Sequence, residues 1–140
     1  MSIIHGSMGL IYFVHQFAPS FKEAALLDEP ELLAAVTAVN KQMTSLAPVL
    51  NSATLANGAQ VQVDDTKAPV DIMVKHYQGS TYIFAAEMRD ATAKATFTVP
   101  GLKLGTTVSV LDENRTVDVK DTTFADTFAP WDVHIYQIKD

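Results

Sequence analysis

The sixteen Asp and Glu side chains are the first candidates for catalysis in this chain, because two carboxylates held close together can act as acid and base. Most of these acids stand in turns or at exposed strand positions. Glu87 is the one that lies inside an apolar stretch, in "FAAEMRD". We expect it on the solvent face, paired with Arg89 or with a Lys across the sheet. No catalytic residue is therefore predicted.

The histidines show no metal-binding pattern. His15, His76 and His134 form neither an i, i+4 pair on a helix nor a His-x-His pair, and the chain has no Cys. We expect His134 to be hydrogen-bonded within a sheet and His76 to be exposed. No Ser stands in a G-x-S-x-G elbow and no phosphate-binding Gly loop occurs, so neither a metal nor a cofactor is predicted.

Aromatic side chains could stack on sugars. Trp131, the single Trp, follows Ala-Pro at a strand entry, and Tyr77 and Tyr82 flank a predicted hairpin. Two interpretations stay open for them. Trp131 either packs on the sandwich or contacts carbohydrate, and the two Tyr either stabilise the hairpin across strands or contact carbohydrate.

Short strands with alternating apolar residues fill the chain from about residue 61 to its end. Residues 69–77 and 81–88 flank "QGS" as one hairpin, and residues 106–111 and 115–120 flank "DEN" as another. Residues 94–99, "TTFADTF" and 131–138 supply the other strands. This spacing predicts a mainly β fold, an antiparallel β-sandwich.

The first third of the chain follows a different pattern. "GLIYFVHQF", residues 9–17, is apolar without alternation, as in a strand buried on both faces. A helix follows, with Asp28 as its cap, Pro30 in its first turn, Glu31 completing a capping box, and Pro48 ending it near Ala47. Its apolar stripe comprises Leu32, Val36, Val39, Met43, Leu46 and Leu50. The predicted fold therefore includes an N-terminal apolar strand and one amphipathic helix packed on the sandwich.

Composition excludes several partner classes. The net charge of −6, with scattered Lys and Arg, argues against nucleic acid and against an anionic membrane surface. No apolar run reaches the length of a membrane span, and no signal-peptide pattern opens the chain. We expect a soluble bacterial protein, with cytoplasm and secretion both open.

Three regions follow from these patterns. Residues 1–8 read as a vector-derived leader, residues 9–59 hold the strand and helix, and residues 60–140 form the sandwich. One strand and one helix cannot complete an α/β domain, so they either pack on the sandwich or belong to something larger.

Two segments resemble a known family. Residues 110–138 resemble the last strands of the small β-sandwich that follows the catalytic (β/α)8 barrel in many bacterial retaining glycoside hydrolases. The matching residues are Val110, Leu111, Glu113, Arg115, Phe124, Asp126, Phe128, Pro130, Trp131, Val133, His134 and Tyr136. "FVHQF" and residues 31–52 similarly resemble the last barrel strand and helix, which makes residues 9–59 a remnant of the barrel end.

The resemblance implies that the catalytic carboxylates, which end barrel strands four and seven, lie upstream of this sequence. No residue here inherits their roles. Only His15 and Gln16, near the end of the last barrel strand, would lie near the substrate mouth. With Trp131, Tyr77 and Tyr82 they complete the set of candidate carbohydrate contacts.

The first functional hypothesis is a non-catalytic accessory β-sandwich of a glycoside hydrolase with a structural role. An alternative is a stand-alone carbohydrate-binding module. A weaker one is a small hydrolase whose site assembles at an oligomer interface, with Glu87, His76 and His134 as nominees. Because residues 9–17 and the helix leave apolar surface uncovered, we expect a homo-oligomer through one or both.

Overall fold

The structure, a computed structural model of residues 1–140, is an antiparallel β-sandwich, as predicted. Nine strands follow a short 3-10 turn, Ala25–Asp28, and one helix, α1, Pro30–Leu50. The strands are β1 Gln60–Val63, β2 Val70–Tyr77, β3 Ser80–Glu87, β4 Ala93–Thr98, β5 Val108–Val110, β6 Arg115–Val117, β7 Val119–Lys120, β8 Thr123–Phe128 and β9 Val133–Lys139. One sheet has the order β1-β4-β8-β7, and the other has the order β2-β3-β9-β5-β6.

Local turn chemistry explains the hairpins. Gln78 and Gly79 both adopt positive φ between β2 and β3, the conformation that a two-residue hairpin turn requires. The register runs from Tyr77 opposite Ser80 to Val70 opposite Glu87. Both hairpins stand where the alternation predicts them.

Aromatic rings fill the space between the two sheets. Phe97 of β4 stacks on Phe124 of β8 with ring centres 4.7 Å apart, and Tyr136 of β9 meets both rings from the opposite sheet. Phe128 completes the group, and all four rings are almost fully buried. Large apolar side chains that alternate inward from both sheets thus form one core.

The helix adds a third layer on the outer face of the five-stranded sheet. Leu46 and Val49 pack against Phe84 of β3 and Ile135 of β9. Only the C-terminal half of α1 is buried in this way, because Leu32 and Val39 of the predicted stripe remain exposed.

The predicted helix ends are wrong. Glu29, not Asp28, is the N-cap residue, and it makes no side-chain cap hydrogen bond, while the Asp28 carboxylate accepts instead from Lys22 Nζ at 2.9 Å. The helix also continues through Pro48 to Leu50. Burial of Val49 in this last turn outweighs the hydrogen bond that Pro48 cannot donate.

The predicted single strand over residues 115–120 is two strands in different sheets. β6 pairs with β5 in the five-stranded sheet, whereas β7 pairs with β8 in the four-stranded sheet. The chain changes sheet at Asp118. This crossing brings the end of β6 close to β8 of the opposite sheet.

The predicted strand over residues 9–17 is also wrong. Its backbone pairs only at the isolated bridge between Gln16 and Lys22, and most of its side chains are exposed. A parallel, doubly covered strand needs neighbouring parallel strands, and every strand pair here is antiparallel.

The first residues contact the folded part. Ile4 packs at the edge of the helix cluster, and His5 Nε2 lies 3.1 Å from an Asp71 carboxylate oxygen. The division at residues 8 and 59 stays a prediction. No helix of the structure combines the length and the apolarity needed to cross a membrane.

Candidate functional site

A cluster of five polar side chains lies where the two sheets meet at the change of sheet. Glu113 stands in the turn after β5, Arg115 on β6, Asp126 on β8, and His134 and Tyr136 on β9. Because β8 belongs to one sheet and β6 and β9 to the other, contacts to Asp126 join the two sheets. We call these five residues the inter-sheet cluster.

Arg115 is the centre of the inter-sheet cluster. Its Nε lies 2.7 Å from Glu113 Oε2, and a terminal guanidinium nitrogen lies 2.7 Å from Asp126 Oδ2. Tyr136 donates its hydroxyl proton to the same Asp126 oxygen at 2.9 Å. The other oxygen of Asp126 accepts from the Thr127 amide at 2.9 Å.

The electrostatics match this geometry. Burial alone would raise the pKa of Asp126, but hydrogen bonds from Arg115, the Thr127 amide and Tyr136 hold it below its ordinary value. Burial and the Asp126 carboxylate raise the pKa of Tyr136. The hydrogen bond to Asp126 likewise raises the pKa of Arg115 against the opposing effect of burial.

His134 is hydrogen-bonded within the sandwich, as predicted. Its Nδ1 lies 2.6 Å from Glu113 Oε1, and its Nε2 lies 3.3 Å from the Thr127 carbonyl oxygen, which belongs to the opposite sheet. The ring is buried, and its face contacts Phe128. His134 therefore makes a second polar link between the sheets.

The inter-sheet cluster is arranged for structure rather than for acid–base chemistry. Each carboxylate oxygen of Glu113 and Asp126 has a hydrogen-bond or ion-pair partner, and the Arg115 guanidinium bridges the two acids. An acid–base pair needs one carboxyl group kept protonated, whereas Arg115 favours the ionised form of Asp126.

Glu87 does not lie on the solvent face, which corrects its predicted place. It is fully buried at the end of β3, and its Oε2 accepts the amides of Arg89 at 2.7 Å and of Trp131 at 3.1 Å. Its Oε1 has no hydrogen-bond partner. Backbone amides, one at nearby Arg89 and one at Trp131 on a distant loop, take the place of the predicted charged side chains.

Trp131 is 52% exposed, so packing is not its main role. Its backbone adopts φ +61°, which is unusual for a bulky residue, and its amide is held by Glu87 and by the Arg89 carbonyl. The indole thus projects from a fixed backbone position at one end of the five-stranded sheet.

Tyr77 and Tyr82 lie elsewhere. Both are half-buried against the cluster under α1, and Tyr82 accepts a hydrogen bond from Gln137 Nε2 at 3.0 Å. The Trp131 amide is hydrogen-bonded to Glu87, which pairs with Val70 at one end of the β2–β3 hairpin. Tyr77 lies at the other end of the hairpin, about 23 Å from Val70 along β2. These three aromatics form no common platform.

His15 and Gln16 stand on opposite faces of the N-terminal segment. His15 is exposed among Phe13 and Phe21, whereas half-buried Gln16 donates through Nε2 to the Ala18 carbonyl at 2.7 Å. Neither belongs to the region of Trp131, so the structure brings the predicted carbohydrate contacts together at no single place.

A cavity of about 380 Å³ lies between residues 3–12, α1 and β2, with Met43, Leu50 and Met73 in its wall. Lys75, also in its wall, is buried, and its Nζ donates to the Ser52 carbonyl at 2.8 Å without an acidic partner. Lys75 thereby ties the linker after the helix to the sheet. The structure holds no group of three His, Asp or Glu residues placed to bind a metal ion.

The sequence pattern indicated only some of the buried polar residues described above. The apolar stretch around Glu87 indicated an inward position that its charge argued against, and nothing local marked Lys75. The residues of the inter-sheet cluster, by contrast, all belong to the motif on which the family resemblance rests.

Comparison with solved structures finds a similar fold in a glycoside hydrolase. No family model matches this chain, and no curated protein matches it. A crystal structure of an Anoxybacillus alpha-amylase, described as a new glycosyl hydrolase subclass, superposes with a TM-score of 0.54 and 16% sequence identity. The superposition covers 89% of this chain but only 24% of the amylase chain. This chain therefore has the fold of a minor part of a glycoside hydrolase.

Proposed function

We propose that this chain is the non-catalytic accessory β-sandwich portion of a larger bacterial glycoside hydrolase, in which it has a structural role. The observation that carries the proposal is the asymmetric coverage, since nearly all of this chain matches about a quarter of the amylase. The motif from Val110 to Tyr136 adds an independent resemblance to the sandwich that follows the barrel in such enzymes.

The N-terminal segment supports the same assignment. Along residues 10–16 the side chains alternate, with Leu10, Tyr12 and Val14 less exposed and Ile11 and Phe13 more exposed. The less exposed face is turned to α1, where the Tyr12 hydroxyl donates to Asn40 at 3.0 Å. A last barrel strand would be covered by its helix on this side and by the barrel interior on the other.

The backbone of this segment fits the assignment as well. From residue 8 to residue 15 no amide or carbonyl makes a backbone hydrogen bond. Neighbouring parallel strands would satisfy both edges. The residues present also favour a non-catalytic role, because the best-formed acid cluster is neutralised by Arg115.

Genomic DNA upstream of codon 8 tests the proposal. We expect one continuous reading frame that encodes the remaining strands and helices of a barrel, with two carboxylates at strand ends. The isolated chain should hydrolyse no 4-nitrophenyl glycoside above the rate of a heat-treated sample. An in-frame stop codon directly upstream, or hydrolysis that disappears in the Glu87→Ala variant, would contradict the assignment.

Exposure of Trp131 favours one second candidate, a carbohydrate-binding module. Because Trp131 is the only Trp, its fluorescence reports on this surface alone. A glycan that stacks on the indole should shift the emission and release heat in calorimetry. Trp131→Ala should abolish that heat while changing the free energy of unfolding by no more than about 1 kcal/mol.

Tyr12→Ala is the control for that titration, since it removes an aromatic ring that contacts Asn40 of α1 and should leave the heat unchanged. If a panel of soluble oligosaccharides and polysaccharides gives neither a spectral shift nor heat with the unaltered chain, this second candidate fails.

A further inference from the structure

A continuous apolar face is left open on the outer side of the N-terminal segment. Ile11, Phe13, His15 and Phe17 point outward from it, and Phe21 returns beside them. Ring centres are 5.8 Å apart for Phe13 and Phe17 and 5.7 Å apart for Phe17 and Phe21, and His15 touches Phe13 and Phe21 at similar distances. We call these five residues the outer apolar face.

We propose that the outer apolar face packs against the same face of a second copy of this chain, which forms a two-fold symmetric dimer. The contact is isologous, so each residue meets the partner's copy of a residue in the same set. This inference concerns the chain on its own, because the barrel interior of the larger enzyme proposed above would cover the same face.

The exposed area is sufficient for such a contact. Phe13, Phe17 and Phe21 are 73%, 69% and 61% exposed, which amounts to about 400 Å² of aromatic surface. Ile11 of the same face is fully exposed and adds its whole side chain to this area. Buried on both copies, this surface reaches the roughly 1,000 Å² in total that a specific interface needs.

Charge explains why the occupant is a second copy. The chain carries a net charge of −6, which opposes self-association through most of its surface. Residues 6–21 contain no Asp, Glu, Lys or Arg. Two copies can therefore bring these faces together without like-charge repulsion at the contact.

Stacked rings make the face self-complementary. The 23° angle between the Phe13 and Phe17 rings leaves a flat, stepped surface, and aromatic rings pack well in offset stacks against similar rings. If the N-terminal segments of the two copies run antiparallel, Phe13 of one copy packs beside Phe17 of the partner subunit.

Sedimentation velocity of the full chain from about 1 to 100 μM tests the dimer. We expect a dimer at the upper concentrations and a rise of about 30-fold or more in the dissociation constant for Phe13→Asp and for Phe17→Asp. Leu104→Asp is the matched control, because Leu104 is 75% exposed in a loop between β4 and β5, and it should change the constant less than 2-fold.

All three substitutions replace exposed residues, so unfolding in urea should confirm that each variant folds. A strictly monomeric chain over the whole range overturns the inference, as does a Phe13→Asp dissociation constant equal to that of the control. If the chain is monomeric but binds a separately produced barrel of its own reading frame, the outer apolar face belongs to that barrel. A reading frame without a barrel, by contrast, would contradict only the accessory role.

Discussion

Asp126→Asn is expected to lower the free energy of unfolding by about 2–3 kcal/mol, one of the two largest effects we predict. Asp126 is the acceptor on which the polar contacts between the sheets converge, through Arg115 and Tyr136. Asn keeps the volume but not the charge, so the Arg115 guanidinium loses its strongest partner. Urea titration followed by circular dichroism measures the change, which should appear in the midpoint and not in the slope.

Asp118→Asn is the matched control for Asp126→Asn. Asp118 is exposed and makes no side-chain hydrogen bond or ion pair, so the same chemical change there should cost less than about 0.5 kcal/mol. Equal effects of the two substitutions would show that the inter-sheet cluster contributes no particular stability.

The same carboxylate should make the sandwich acid-sensitive. Because the pKa of Asp126 is lower in the folded chain than in the unfolded chain, its contribution is complete above about pH 4, the ordinary value. It is lost as pH falls through the lowered value, since the folded chain must then bind a proton at the cost of the Arg115 contact. The free energy of unfolding should therefore decline below pH 4 less steeply in Asp126→Asn than in the unaltered chain.

Glu87→Ala is expected to cost about 3 kcal/mol. The change removes the acceptor of two amides, those of Arg89 and Trp131, and leaves a void at a fully buried position. Because the Trp131 amide loses one of its two acceptors, tryptophan emission and its anisotropy in the folded state should change as well. Urea unfolding and the fluorescence of the single Trp measure both effects.

Glu87→Gln and Glu23→Ala complete that experiment. Gln retains an oxygen that can accept both amides, so it should recover most of the lost stability and the native emission. Glu23 is exposed and makes no side-chain contact of this kind, so its removal should be nearly neutral. Loss of stability in Glu87→Gln equal to that in Glu87→Ala would mean that the negative charge, not the acceptor geometry, holds the loop.

Local patterns were enough to identify most strands and turns of the sandwich, although they did not predict β1 and they wrongly predicted a strand over residues 9–17. The alternation of Val108 and Val110 with Thr107 and Ser109 follows from the two-residue period of a strand beside a core, and it needs no knowledge of the partner strand. The resemblance also singled out the residues of the inter-sheet cluster without stating their contacts.

Pairing and burial of charge required the tertiary structure. Asp118 divides one predicted strand between two sheets, and Glu87 is buried because amides about two and forty-four positions away reach it. The neighbouring residues in the sequence reveal neither fact. Alternation shows which residues share one face of a strand, but it does not show which strand pairs with it.

The sequence by itself determined that residues 9–17 are apolar without alternation and that the alternating strands in the second half of the chain form a sandwich. The tertiary structure decided that residues 9–17 form no strand, that α1 covers only one side of them, and that their backbone pairs only at Gln16. The physical reason is that removing apolar surface from water is favourable whichever group covers it. Apolar residues therefore do not specify whether the covering group lies in the same chain.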